Sequence, residues 1–235
     1  MANLKINCVG NCHPWLGVFE TVCVRKGRPL FLEEHWQSLQ RACAALNLKR
    51  PLDFRGLAHV LPKADGRWRW VIGPAGPSHS FQHEKPIRGA AFTLTTASVR
   101  VGSVNLDARH KTLSYLSHWQ ARSENPTGEA LLLNEKGHIA SGAMSNIFWV
   151  RRGRVFTPDV SSGCRAGVVR GWVLEEVGAR FARSRPSALD SSEEIFVTNS
   201  MLGVRPVSRW QDRKLKAGPV SRLLQRRYAR LIGAM

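Results

Sequence analysis

The chain has 235 residues, enough for one large domain or two smaller ones sharing a cleft. Its formal net charge of +18 suits anionic partners, while 43% hydrophobic and 22% charged residues exclude a disordered basic tail and require a folded core. No stretch approaches the ~20 apolar residues of a membrane span, and the opening Met-Ala-Asn-Leu-Lys-Ile-Asn lacks the apolar segment of a signal peptide, so the chain is expected in the cytoplasm with no membrane partner. Five cysteines (Cys8, Cys12, Cys23, Cys43, Cys164) without Cys-x-x-Cys spacing predict reduced thiols. Cys8, Cys12 and His13 have no second cluster to complete a ligand set, and no metal is expected.

Gly17 to Val24 carries β-branched and aromatic residues, turns at Lys26-Gly27 and resumes at Pro29-Leu30-Phe31-Leu32, which predicts a hairpin. From Glu33 the apolar Trp36, Leu39, Ala42, Cys43 and Leu46 recur at three and four, the spacing of one helix face. A weaker helical stretch covers Phe54 to Leu61, Trp68 to Ile72 reads as a strand, and Gly73 to Pro77 is a breaker cluster that predicts loop. Residues 92–101 alternate as a strand and lead through Gly102 to Asp107 into a helix expected over Thr112 to Ser123. The domain junction is placed here, with a small N-terminal α/β domain over 1–102 and a larger domain over 103–235. Glu129 to Val155 predicts a meander with turns at Glu135-Lys136-Gly137 and Arg152-Gly153. Gly167 opens a helix to Val177, Glu194 to Thr198 is a buried strand, and Val220 to Leu231 is a basic terminal helix. The class is mixed α and β.

Only nine of the 35 basic residues are lysines, so each can be weighed singly. Lys26 and Lys136 fall in turns, Lys49 follows a helix, and Lys214 and Lys216 lie in a polar linker. Lys111 differs, standing between a strand and an aromatic-bearing helix start in Arg109-His110-Lys111-Thr112-Leu113-Ser114-Tyr115. A lysine at a domain junction can be desolvated and become a nucleophile toward carbonyl compounds; taken alone, the same lysine also reads as a surface group near a helix start. In Gly167-Val168-Val169-Arg170 the backbone N–H groups and the helix dipole could receive a phosphate. Thr198-Asn199-Ser200, at the end of a buried strand, offers further short donors.

These strings occur together with Gly17-Val18-Phe19-Glu20-Thr21, His35 with Leu39, Glu129-Ala130-Leu131-Leu132-Leu133-Asn134, Ser145-Asn146-Ile147-Phe148 and Pro206-Val207. In that order and spacing the chain, over roughly residues 17 to 207, resembles the class IV aminotransferases, fold-type IV enzymes that use pyridoxal 5′-phosphate. The resemblance implies an α+β fold with a small N-terminal α/β domain, a larger C-terminal domain with a barrel-like sheet, the cofactor between them, and a homodimer. It also implies that Lys111 bonds the cofactor aldehyde and later shuttles a proton, that Val168 and Val169 bind the phosphate through their backbone, and that Asn199 and Ser200 form a second phosphate loop.

Two positions depart from the family. Where it has a glutamate facing the pyridine nitrogen, in Glu-Gly-x-x-Ser-Asn, this chain has Ser141, whose hydroxyl can hydrogen-bond the nitrogen without supplying charge. Where it has His-x-x-Arg-Leu, with the arginine on the phosphate, this chain reads His35-Trp36-Gln37-Ser38-Leu39, and Arg41 is the replacement expected. A weaker electron sink suits elimination driven by aromatisation better than transamination. The expected function is therefore aminodeoxychorismate-lyase-like, releasing pyruvate to give 4-aminobenzoate as in folate biosynthesis, although the family's lyases carry the glutamate. A small amino-acid aminotransferase is the alternative. A non-catalytic fold-type IV protein binding an anionic ligand or nucleic acid is the alternative from another class. The substrate is expected to be a small anionic amino compound held by an arginine, with His83, Arg100 and Arg109 as candidates by sequence proximity. Nucleic acid is not the expected partner, because Arg222, Arg226, Arg227 and Arg230 read as a solvated helix face without a recognition motif.

Overall fold

A computed structural model of the chain describes residues 16–48, 61–73, 76–84 and 92–233. The chain forms two compact units. Of the described residues, the first takes 16–48, 61–73 and 76–84 together with His110–Tyr115, and the second takes 92–109 and 116–233.

In the first unit β1 (Val18–Arg25), β2 (Arg28–Pro29), β3 (Gly66–Gly73) and β4 (Gly76–His83) form an antiparallel sheet in the order β2-β1-β3-β4, with α1 (Leu32–Ala45) following β2. Lys26 and Gly27 both have positive φ, 50° and 69°, the geometry of a two-residue hairpin turn that follows the strand twist. Alternation sends Val18, Glu20, Val22 and Val24 to one face of β1, and the register sets Trp70 opposite Glu20 and Trp68 opposite Val22. That face packs on Trp36, Leu39, Ala42 and Cys43 of α1, the stripe read from the sequence. Truncating a tryptophan so enclosed costs about 3–5 kcal/mol.

Strand β4 begins at the end of the expected breaker cluster and runs on through residues for which the sequence predicts no element, because Gly-Pro-Ser-His-Ser-Phe-Gln-His is polar and its side chains are mostly exposed; no buried face leaves an alternation to see. The helix expected from Thr112 starts instead at Leu116. The intervening segment is extended against β1: Phe19 N donates to Lys111 O at 2.8 Å, Leu113 N donates to Gly17 O at 2.8 Å, and Val18 bridges Thr112. Residues 54–60 of the second helix expected lie outside the described residues, as do Cys8, Cys12 and His13.

The second unit contains β5 (Thr93–Val101), α2 (Leu106–Arg109), α3 (Leu116–Glu124), β6 (Glu129–Asn134), β7 (Ile139–Gly142), β8 (Asn146–Arg151), β9 (Arg154–Pro158), α4 (Val168–Val177), β10 (Arg180–Ala182), α5 (Ser187–Asp190), β11 (Glu194–Asn199), β12 (Gly203–Pro206), β13 (Arg209–Trp210), β14 (Arg213–Lys214) and α6 (Pro219–Leu231). Two five-stranded sheets, β14-β13-β5-β6-β7 and β10-β9-β8-β11-β12, share a core of Leu94, Leu131, Leu133 and Ile139 with Ile147, Trp149, Ile195 and Val197. Strand β5 pairs in parallel with β6, so a single cut at residue 102 would separate strands that are hydrogen-bonded to each other. Lys214 sits in a small hairpin opposite Arg209 rather than in a linker. Cys23, Cys43 and Cys164 are buried free thiols. Among the described residues no helix is long and apolar enough to cross a membrane, and no group of His, Cys, Asp and Glu could hold a metal.

Candidate active site

The edge of β1 carries the first set of functional groups. Docking of residues 110–115 on β1 brings the Lys111 Nζ to 3.1 Å from Glu20 Oε2, with the lysine side chain 21% exposed. Glu20 sits on the core face of β1, a carboxylate among valines, and α1 crosses that face. His35 and Ser38 lie three residues apart on α1 and therefore reach the same point. His35 Nδ1 is 2.9 Å from Oε2, Ser38 Oγ donates to Oε1 at 2.7 Å, and Thr21 N donates to Oε2 at 3.0 Å. Burial alone would raise the Glu20 pKa, but the charge of Lys111, then that of His35, and the hydrogen bonds of His35 and Ser38 hold it well below the usual carboxylate range.

The other face of β1 presents Phe19. Its ring meets Tyr115 edge-on at 5.5 Å, carries the Arg69 guanidinium 4.0 Å above its centroid, and lies 5.8 Å from Lys111 Nζ. An amine, a guanidinium and a phenol-bearing ring thus surround one aromatic side chain. Arg69 is half-buried, and burial followed by the neighbouring Arg67 charge lowers its pKa. A carboxylate is the group that such a cation accepts best.

In the second unit, α4 begins at an N-cap glycine, Gly167, which makes no side-chain cap, so the N–H groups of Val168 and Val169 head the helix without a side-chain acceptor there. A Cβ at Gly167 would meet Asn146 Oδ1, so a larger residue there would have to displace the asparagine side chain. Asn146 Nδ2 donates to Arg165 O at 2.7 Å, and Asn146 pairs across the sheet with Thr198. One asparagine therefore ties the end of β11 to the loop that starts α4. Thr198 Oγ1 is buried and has no hydrogen-bond partner among the described residues. Asn199 closes the following turn, accepting from Met201 N and Leu202 N at 3.0 and 2.7 Å and donating to Met144 O at 3.1 Å; Ser200 follows, half-buried.

Ser141 is buried in β7 opposite Leu132. The nearest carboxylate along the paired strand is Glu129, fully enclosed, accepting from Ser145 Oγ at 2.6 Å, Ala130 N at 3.1 Å and Met144 N at 3.3 Å. Burial raises its pKa and these bonds offset some of the rise. Glu129 shares a face with Leu131 and with Gly142, whose Cβ position its carboxyl group fills, whereas Ser141 pairs on the Leu132 face. Glu129 therefore does not replace the carboxylate missing at 141.

Of the other residues that the sequence singles out, Arg41 is exposed on α1, while Ser38 rather than Arg41 meets the Glu20 cluster. His83 and Arg100 are exposed, and Arg109 directs its Nε to Ser103 O. Glu20 as a partner of Lys111, Arg69 over Phe19, and the Asn146 clamp escaped sequence reasoning. A signal for Glu20 was present: it is the one acidic residue on the inward period of Val18–Val24.

Known proteins share this arrangement of elements. The family model described as "Amino-transferase class IV" matches residues 17–210. The aminodeoxychorismate lyase of Bacillus subtilis (strain 168) is 26% identical over 230 residues, covering 84% of this chain and 78% of that protein. A putative 4-amino-4-deoxychorismate lyase from Legionella pneumophila superposes with a TM-score of 0.84 at 17% identity, covering 97% and 98% of the two chains. An aminotransferase from Brucella abortus bound to the cofactor PLP superposes with a TM-score of 0.81 at 24% identity, covering 97% and 95%. The α+β fold is thus that of fold-type IV enzymes.

Proposed function

The chain belongs to the class IV aminotransferase family, and from that premise we propose that it is a pyridoxal 5′-phosphate-dependent enzyme resembling aminodeoxychorismate lyase, eliminating pyruvate from a small anionic amino substrate to give 4-aminobenzoate. The observation that carries this reading is the partly buried Lys111 amine beside Phe19 and Arg69, in a chain similar to a lyase over most of its length. When bound, pyridoxal 5′-phosphate supplies an aldehyde that takes up amino groups and a pyridine ring that accepts electron density. The chemistry of each unit fits part of such a group: in the second, an uncapped helix start and a Thr198 hydroxyl without a partner among the described residues suit a phosphate, and in the first, the partly buried Lys111 amine suits an aldehyde.

In this reading Lys111 Nζ binds the aldehyde and is the atom that holds the exchanging proton. The backbone N–H groups of Val168 and Val169, with Asn199 and Ser200, bind phosphate, and Arg41 adds positive charge from α1. Ser141 offers the ring nitrogen a neutral hydroxyl, which favours a reaction whose drive comes from forming an aromatic product. Arg69 receives the substrate carboxylate over the Phe19 ring. A homodimer belongs to the reading, supported by Leu116 and Trp119, which expose 80% and 61% of their surface on one turn of α3.

The experiment is to add the cofactor to the purified chain, reduce with borohydride, and locate the label by mass spectrometry, alongside an assay for 4-aminobenzoate and pyruvate from aminodeoxychorismate. Label on Lys111 is expected, with turnover falling about a thousandfold in Lys111→Ala. Label on another lysine, or no uptake, removes the reading. Amino-group transfer between amino and keto acids without 4-aminobenzoate would assign the chain to the aminotransferases instead.

A further inference from the structure

We propose that Glu20 is the positioning residue of Lys111, its buried carboxylate serving as the resident ion-pair partner that parks the amine at the β1 edge until an aldehyde-bearing ligand claims it. The proposal rests on the reading of Lys111 as the reacting amine. Glu20 exposes 3% of its surface and is enclosed by three elements. From the 110–115 segment it faces Lys111; from α1 it faces His35 and the Ser38 hydroxyl; from β3 its cross-strand neighbour is the uncharged Trp70. Arg69 is turned to the opposite face, over Phe19.

A carboxylate withdrawn from water is held by hydrogen bonds and, where one is within reach, by a cation that offsets the lost hydration of its charge. At the position from which a longer basic side chain on α1 could supply that charge, the chain has Ser38, which donates one hydrogen bond and no charge. Lys111 is the ammonium within reach, and it shares Oε2 with His35 and Thr21 N. The pair fixes where Nζ points and sets a condition for its reaction: the amine must leave an ionic partner and give up a proton first. Glu20 thereby acts on the chemistry through Lys111 and touches no substrate itself.

The test is the rate of Lys111 labelling by 2,4,6-trinitrobenzenesulfonate in the full chain freed of cofactor, read by mass spectrometry at the single peptide. In Glu20→Gln, labelling at pH 7.5 is expected to rise severalfold as the amine loses its ionic partner, while Glu20→Asp stays close to the unaltered chain. Equal rates at pH 7.5 would overturn the proposal. So would a rise of the same size in Glu20→Asp, because that reports an opened backbone rather than a lost charge. Ser38→Arg keeps the carboxylate paired and serves if Glu20→Gln does not fold; it should draw Glu20 away and speed labelling severalfold, and no change would again overturn the proposal. Borohydride trapping on a different lysine would sink the reading of Lys111 while leaving the labelling rates to judge Glu20 by themselves.

Discussion

A single histidine sets much of the expected acid sensitivity. His118 on α3 is 3% exposed, with Nε2 3.5 Å from Arg165 Nη2. Burial first, and then the Arg165 charge, push its pKa down to about 3. The unfolded chain takes up this proton near pH 6.5 and the folded chain refuses it until about pH 3, so the associated stability is whole above ~6.5 and is lost as pH falls, at about 1.4 kcal/mol per unit. Urea unfolding at pH 6.5 and 5.0 should differ by about 2 kcal/mol, and by clearly less in His118→Gln. Identical differences in the two proteins would refute the assignment. The two buried glutamates act with opposite signs. Glu20, with its pKa depressed, adds stability above the ordinary carboxylate pKa that is lost as pH falls through the lowered value. Glu129, with its pKa raised, adds stability below the ordinary value that is lost as pH rises through the elevated one.

At the level of elements, strands are used as anchors for their neighbours. Glu194 of β11 turns its buried carboxylate to the start of α6, where Oε1 accepts from Val220 N at 3.0 Å and Oε2 from Ser221 N and Oγ at 2.9 and 2.6 Å. An anion at a helix N-terminus satisfies orphan donors and complements the dipole. Glu194→Ala should cost about 2–3 kcal/mol in urea unfolding; a cost below about 0.5 kcal/mol would mean that other groups hold this end of α6. The basic terminal helix is therefore docked through its first turn. Along it Arg222, Arg226 and Arg230 are exposed and Arg227 pairs with Glu176, as a solvated face would be arranged. The start of β1 works in the same way: a Cβ at Gly17 would strike Ile72 O and Leu113 Cδ1, so the glycine is what lets residues 110–115 lie on the strand and carry Lys111 with them.

Over the whole molecule the charge of +18 is unevenly used. Of the 17 acidic residues, Glu20, Glu129 and Glu194 are taken up inside the two units as partners of an amine, a hydroxyl and a helix start, which removes three negative charges from a surface already rich in arginine. Such a surface attracts small anions over roughly a Debye length, ~8–10 Å at moderate salt, in keeping with an anionic substrate. Leu116 and Trp119, one turn apart on α3, are among the exposed apolar side chains of the described residues. Light scattering is expected to give twice the chain mass, with Trp119→Glu shifting it toward one chain; a monomer in the unaltered protein would reject the dimer.

The period of α1, the turns at Lys26-Gly27, Gly137 and Gly153, the glycine that starts α4 and the longer strands β5, β6, β8 and β11 were written in local sequence, because spacing and turn chemistry act within a few residues, whereas the short β7, β10, β12, β13 and β14 were not. The same locality made Lys111 stand out among nine lysines. Pairing across the chain was decided by the tertiary structure alone. It drew Thr112 out of its expected helix onto Val18, gave the polar β4 a partner in β3, and brought Glu20, His35, Ser38 and Lys111 to one point. It also sent Glu129 and Ser141 to opposite faces of neighbouring strands. A hydrogen-bond partner 91 residues away leaves no mark in any window of sequence, and an ion pair exists only once burial has removed the water that would otherwise have served both ions.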